Sequence, residues 1–139
     1  MKYLVGETAN GTAVFAVKGE NAVNVTALNA DIGADLMALA HDSNLGSALQ
    51  SQIDGAPSVS VSQITPALPI ADPSAIICVG LNYVEHVKEG GYDIPDYPAL
   101  FMRSKASIMA AGQPMVRPVA SEKLDYEACL LYTSPSPRD

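Results

Sequence analysis

Along the first seventy residues the hydrophobic positions form short runs whose period changes from one to the next. Tyr3-Leu4-Val5, Ala13 to Val17 and Val23 to Thr26 are β-prone, with the turn formers Asn10-Gly11 and Gly19-Glu20-Asn21 between them. Ile32, Leu36 and Leu39 then recur at helical spacing after Asn29 and Asp31, both competent N-caps. A second, weaker helical pattern runs from Leu45 through Leu49 to Ile53. Ser58-Val59-Ser60-Val61-Ser62 alternates strictly, which predicts a strand with one wet face. From Pro66 to Pro73 there are three prolines in eight residues, so this stretch can neither pair as a central strand nor continue a helix. It reads as an interdomain connection. Beyond it, Ala75-Ile76-Ile77-Cys78-Val79 is a continuous apolar run, the signature of a fully buried strand. The pattern as a whole predicts an α+β chain with a small N-terminal domain over residues 1–70 and a second domain from residue 71.

Composition agrees with a globular protein and removes several function classes. The chain has 139 residues, 48% of them hydrophobic and 17% charged, too apolar a mixture for intrinsic disorder. No apolar run approaches the ~18 residues a bilayer span requires, and Gly6 and Glu7 come too early for a signal peptide. A net charge of −7 argues against nucleic acid as a partner, because phosphate binding needs a basic face. Two cysteines, Cys78 and Cys129, cannot build a disulfide framework, which points to a reducing compartment, the cytoplasm. The cations are uneven. Residues 1–70 hold only Lys2 and Lys18, while Lys88, Arg103, Lys105, Arg117 and Lys123 all lie in residues 71–128. Such a group suits a small anionic substrate, and equally an ordinary solvated surface.

The grammar of the chain changes at Cys129. From there to Asp139 the sequence reads C-L-L-Y-T-S-P-S-P-R-D, an apolar pair followed by a Ser/Pro string with no core-facing pattern. This string resembles the translation of a common transposase sequencing adapter. Residues 129–139 are therefore expected to be an adapter-derived artefact and are set aside from fold reasoning. The expectation that follows is a truncated chain, whose natural gene continues past Ala128.

Three segments carry candidate chemistry. In Gly80-Leu81-Asn82-Tyr83-Val84-Glu85-His86-Val87-Lys88-Glu89-Gly90-Gly91, Asn82 can cap a short helix and the two glycines can end it. His86 and Glu89 then project from one face, where a carboxylate can fix the imidazole tautomer and raise its basicity. The same spacing also describes a polar surface helix. In Pro98-Ala99-Leu100-Phe101-Met102-Arg103-Ser104-Lys105-Ala106-Ser107, a proline-set turn leads to alternating cations and hydroxyls. Arg103 can fork onto a carboxylate there, and so can an ordinary loop cation. In Leu124-Asp125-Tyr126-Glu127, read as the start of a half-buried strand, the two acids share a face. Two or three carboxylates with water hold Mg²⁺ or Mn²⁺, but the pattern is common on surfaces.

Taken in this order, the three segments resemble the catalytic domain of the fumarylacetoacetate hydrolase family. The matching features are a strand with G-x-N-Y-x-x-H-x-x-E, then P-x-x-F followed by a basic position, a G-x-P turn at Gly112-Gln113-Pro114, and D-Y-E-x-E-L. Only the final Glu is missing, and Cys129, the first residue of the adapter-like string, stands in its place. The first seventy residues also look like the small leading domain of bacterial members. The resemblance implies a mixed-β rolled-sheet catalytic domain, here only its beginning. It also implies a divalent metal, Mg²⁺ or Mn²⁺, a homodimer when intact, and a small anionic 2-oxo or 1,3-dicarbonyl acid as substrate. Members hydrolyse a C–C bond, decarboxylate, hydrate or isomerise. By the motif match His86 is the general base, Glu89 orients it, and Glu127 is the first metal ligand. Arg103 stands at a substrate-binding position where members more often carry Lys. A non-catalytic module that binds a small anion or a partner chain is the alternative on the same fold. The 139-residue chain itself, with one of three expected metal ligands, is expected to be inactive.

Overall fold

The computed structural model describes residues 1–124, 126 and 127. The chain divides into two compact units, Met1–Pro73 with Ile108–Met115, and Ser74–Ser107 with the stretch from Val116 onward.

The first unit is built on two tight hairpins. Strands β1 (Lys2–Thr8) and β2 (Gly11–Lys18) pair antiparallel from Lys2↔Val17 to Thr8↔Gly11. Gly11 supplies the positive φ of 110° that closes this turn, and the Thr8 hydroxyl donates to the Gly11 carbonyl at 2.8 Å. The second turn, closed by Gly19 at φ 60°, brings in β3 (Asn21–Asn24). A two-residue strand, β4 (Val59–Ser60), adds to β3 and completes the sheet order β1-β2-β3-β4.

Both faces of this sheet are covered, which explains the unbroken apolar run at Ala13–Val17. Val5, Val14, Ala16 and Val23 face one side and pack with Val25, Ile32, Leu49 and Ile53. Ala13, Phe15 and Ala22 face the other and pack with Ile64. Burial of each large aliphatic or aromatic side chain among these contributes about 1.5–3 kcal/mol.

The helical layer is more broken than its periodicity predicts. Val25 and Thr26, expected in a strand, open the one-turn helix α1 (Val25–Leu28), because the Asn24 side chain accepts from the Ala27 amide at 2.9 Å and turns the chain. Thr26 then pins the turn to the sheet. Its Oγ1 accepts from the Val14 amide at 2.9 Å and donates to the Gly33 carbonyl at 2.7 Å. The single helix expected over Ile32, Leu36 and Leu39 is instead a 3-10 turn (Ala30–Ile32) and α2 (Met37–His41). Gly33 separates them at φ 72°, a left-handed conformation that a helix cannot propagate through. Two helices follow, α3 (Ser43–Ala48) and α4 (Gln50–Gly55). The alternating Ser58–Ser62 stretch keeps only β4 as strand and then tightens into a 3-10 turn, Val61–Gln63.

The proline-rich stretch does structural work in this unit. The Glu7 amide donates to Thr65 O at 2.9 Å and the Ala67 amide to Val5 O at 2.8 Å, and Gly6 bridges Pro66. Residues 65–67 thus lie along the open edge of β1 and shield it, a position that tolerates a residue without an N–H. Farther on, the Leu36 amide donates to Pro69 O at 2.9 Å.

In the second unit, β5 (Ile76–Gly80) pairs antiparallel with β6 (Ala99–Arg103), from Ile76↔Arg103 to Gly80↔Ala99. Helix α5 (Val84–Glu89) lies between them in sequence. The expected full burial of β5 is not observed. Ile77 is 61% exposed, and its cross-strand partner Met102 is 70% exposed. Among the described residues β5 has β6 as its only strand partner, and this face of the two-stranded ribbon has no covering layer.

Candidate active site

The site is assembled from the turn between β5 and α5. Leu81 has φ 55°, a left-handed conformation costly for a side chain with bulk beyond Cβ. Tyr83 rather than Asn82 holds the N-cap position, and no side-chain hydrogen bond caps the helix there. Val87 is the anchor of α5, with 1% of its surface exposed, while Glu85, His86, Lys88 and Glu89 are exposed around it. The helix ends as its glycines predict. Gly90 donates to His86 O and Gly91, at φ 69°, to Lys88 O, each at 3.1 Å, and Tyr92 donates to Val87 O.

His86 and Glu89 therefore sit one turn apart, on an anchored helix, both open to solvent. Among the described residues neither side chain makes a hydrogen bond, so the imidazole is not held by the carboxylate in this state. The pairing that does form on α5 is Lys88 Nζ to Glu85 Oε1 at 2.9 Å.

The second segment is more ordered than a surface loop. Pro98 precedes β6, and Arg103 is its last residue. The hydroxyls that follow are used locally: Ser104 Oγ accepts from the Ala106 amide at 3.2 Å, and Ser107 Oγ donates to Ser104 O at 2.6 Å. They build the 3-10 turn Lys105–Ser107. Gly112, at φ 80°, shapes the expected turn before Pro114.

In the third segment Leu124, Tyr126 and Glu127 are not in a strand, and Asp125 lies outside the described residues, as do 128–139, the adapter-like string among them. Glu127 approaches Arg103, with Oε1 3.6 Å from Nη1. The structure thus joins two of the four site residues singled out from sequence, and they are the cation and the metal-ligand candidate. Among the described residues no three His, Cys, Asp or Glu side chains group closely enough to hold a metal ion. The donors among the described residues do not by themselves fit Mg²⁺ or Mn²⁺, which need several oxygen ligands at once.

The first unit holds a pairing that the sequence did not signal. Lys18 Nζ and Asp54 Oδ1 meet at 2.6 Å across a shallow hollow lined also by Asn21, Val23, Ile53 and Ser58. The Lys18 ammonium, by hydrogen bond and by charge, holds the Asp54 carboxyl below its ordinary value. The two residues are far apart in sequence, with no motif to mark them.

Comparison with known proteins bears on the second unit above all. Residues 75–131 match the family described as fumarylacetoacetate (FAA) hydrolase, C-terminal. The match runs past Ala128 into the first positions of the adapter-like string. An uncharacterised protein of Methanocaldococcus jannaschii is 44% identical over 55 residues, 40% of this chain and 23% of that one. The mitochondrial oxaloacetate tautomerase fahd2 of Xenopus laevis is 36% identical over 74 residues, 53% of this chain and 23% of that one. Human oxaloacetate tautomerase FAHD2A, also mitochondrial, is 35% identical over 66 residues, 48% of this chain and 21% of that one. The matched stretch thus spans less than a quarter of each of these relatives. In fold, 86% of the chain aligns with 41% of a Mycobacterium smegmatis protein assigned as HpcE, at a TM-score of 0.55 and 23% identity. The resemblance read from the glycine, histidine and acidic motifs is borne out: residues 75–131 are similar to the C-terminal domain of the fumarylacetoacetate hydrolase family.

Proposed function

We propose that residues 1–128 are part of an enzyme that moves a proton on the carbon next to the carbonyl of a 2-oxo or 1,3-dicarbonyl acid. The observation that carries this reading is α5, which presents His86 and Glu89 one turn apart and open to solvent on a helix held by Val87. The sequence relationship to oxaloacetate tautomerases supports the substrate class. In the proposed step the neutral His86 imidazole takes the proton from the carbon and leaves an enolate. The same imidazolium returns the proton to oxygen for tautomerisation. For C–C cleavage His86 instead takes a proton from water, whose hydroxide adds to the carbonyl. Collapse of that adduct to a carboxylic acid expels the carbon as an enolate that the imidazolium protonates. Glu89 turns toward His86 when substrate excludes water, fixing the tautomer and stabilising the imidazolium. Arg103 is the candidate for the substrate carboxylate.

The resemblance also implies Mg²⁺ or Mn²⁺, with Glu127 as one ligand. Because the described residues do not supply the remaining donors, the proton transfer above is derived from His86 and Glu89 alone. The homodimer, the cytoplasmic location and the absence of nucleic-acid and membrane partners belong to the same proposal. The compartment is not carried over from the relatives, some of which are mitochondrial by name. Among the described residues no helix is long and apolar enough to cross a membrane.

The test has two stages. A long read of the coding DNA through codon 128 is expected to show Glu-Leu after Ala128 and, later, an Asp ligand. The longer product is then assayed with oxaloacetate and an acylpyruvate, with and without chelator. His86→Asn is expected to lower turnover about 10²–10⁴-fold, and the 139-residue chain to be silent. A longer product that binds no Mg²⁺ and turns over neither acid sinks the reading. It leaves the second one, a non-catalytic module that binds a small anion or a partner.

A further inference from the structure

Arg103 and Glu127 are brought together by the fold of the second unit, and their contact has a consequence separate from the proton chemistry of α5. Arg103 closes β6, where pairing with Ile76 sets its backbone position. Glu127 follows a stretch, from Val116 to Leu124, with no helix or strand, in which Val116 and Val119 are 84% and 100% exposed. That stretch has little apolar burial to hold it. The two charged side chains meet at 3.6 Å, both partly exposed, with 39% and 42% of their surface open to solvent. A guanidinium and a divalent cation compete for the same carboxylate oxygens. Among the described residues no group of three potential ligands includes Glu127, so a cation there would displace a formed ion pair without a complete ligand set.

We propose that in this chain Glu127 is the counter-ion of Arg103, tying the segment after Val116 back to the end of β6, and is not a cation ligand. This departs from the proposed function at Glu127 and engages Arg103, while the proton chemistry of His86 and Glu89 stands apart from it.

The pair is partly exposed, so its contribution is modest and weakens with salt. Its loss should raise local opening by about 1.5- to 5-fold. Tryptic cleavage of the Lys123–Leu124 bond in the 139-residue chain reads this opening, at low ionic strength and normalised to a short peptide spanning the same bond. Arg103→Gln and Glu127→Gln are each expected to speed cleavage within that range. The reciprocal exchange Arg103→Glu with Glu127→Arg is expected to return it to near the wild-type rate. High salt should speed normalised cleavage of the wild-type chain toward that of the single variants, a reading that needs no variant to fold. Millimolar Mn²⁺ should broaden the Glu127 amide signal no more than that of the exposed Glu122. Single variants and a high-salt wild type cut at the low-salt wild-type rate would overturn the proposal. So would a charge exchange that folds, by circular dichroism, without restoring protection, or selective Mn²⁺ broadening at Glu127.

Discussion

The close approach at Gly6 gives a sharp test of how the first unit is packed. Gly6 lies within β1 and bridges Pro66, and its φ is not positive, so alanine can adopt its backbone conformation. The difficulty is space. A methyl group there overlaps Ile64 Cγ2 and comes within 3.3 Å of Thr65 O and 3.4 Å of Phe15 Cε2. Ile64 is 8% exposed and packs with Ala13, Phe15 and Ala22, so it has little room to retreat. Overpacking of this kind costs about 1–3 kcal/mol, while replacing a strand glycine by alanine returns about 0.5–1 kcal/mol. The net for Gly6→Ala spans about 0–2.5 kcal/mol of destabilisation, with the direct overlap on Ile64 placing it in the upper half, seen as a lower urea midpoint by circular dichroism. Faster exchange at the Glu7 and Ala67 amides, whose bonds to Thr65 and Val5 flank the contact, should accompany it. Ile64→Ala removes the offending Cγ2 and alone costs about 2–5 kcal/mol through lost burial and a cavity. In that background the Gly6→Ala methyl occupies vacated space and becomes neutral or stabilising, a coupling of at least about 1 kcal/mol. Additive costs in this cycle would refute the reasoning, since they would show that the new methyl does not meet Ile64.

Three further outcomes follow from local features. The Asp54 carboxyl is held below its ordinary value by Lys18, so this group favours the folded state above the ordinary carboxylate range, and that contribution disappears as the pH falls through its lowered value. Asp54→Asn should therefore flatten the acid side of a melting-temperature profile, with little change once the carboxyl is protonated in both folded and unfolded chains, and an unchanged acid slope would contradict the pairing. Leu81 at φ 55° predicts that Leu81→Gly relieves about 1 kcal/mol of backbone strain, partly offset by lost packing, whereas Leu81→Ile destabilises. A urea titration in which both variants lose stability equally would show that the side chain, not the backbone, decides this position. Asn24→Ala removes the cap on α1 and should cost about 1 kcal/mol, measured in the same way.

The sequence by itself determined the features that depend on neighbours in the chain. The hairpins at Asn10-Gly11 and Gly19-Glu20 follow from glycines that reach positive φ, and the strands follow from the apolar runs they join. The end of α5 at Gly90-Gly91 and the family motifs around His86, Arg103 and Glu127 were legible for the same reason. What spacing could not supply is anything set by residues distant in sequence. The helix over Ile32 to Leu39 broke because Gly33 takes a left-handed turn, its carbonyl accepts from the Thr26 hydroxyl and the Leu36 amide donates to Pro69 O, an arrangement that periodicity does not encode. The proline-rich stretch reads as a linker, yet its Ala67 amide donates to Val5 O and, with Thr65 O accepting from Glu7, its start shields the edge of β1, since a strand edge recruits whatever backbone can reach it. The apolar run in β5 promised burial, but burial requires a second surface, and among the described residues β6 covers only its hydrogen-bonding edge. Tertiary structure alone paired Lys18 with Asp54 and Arg103 with Glu127. Charges this far apart in the chain meet only when strand register and helix packing bring their backbones together, and no local pattern carries that information.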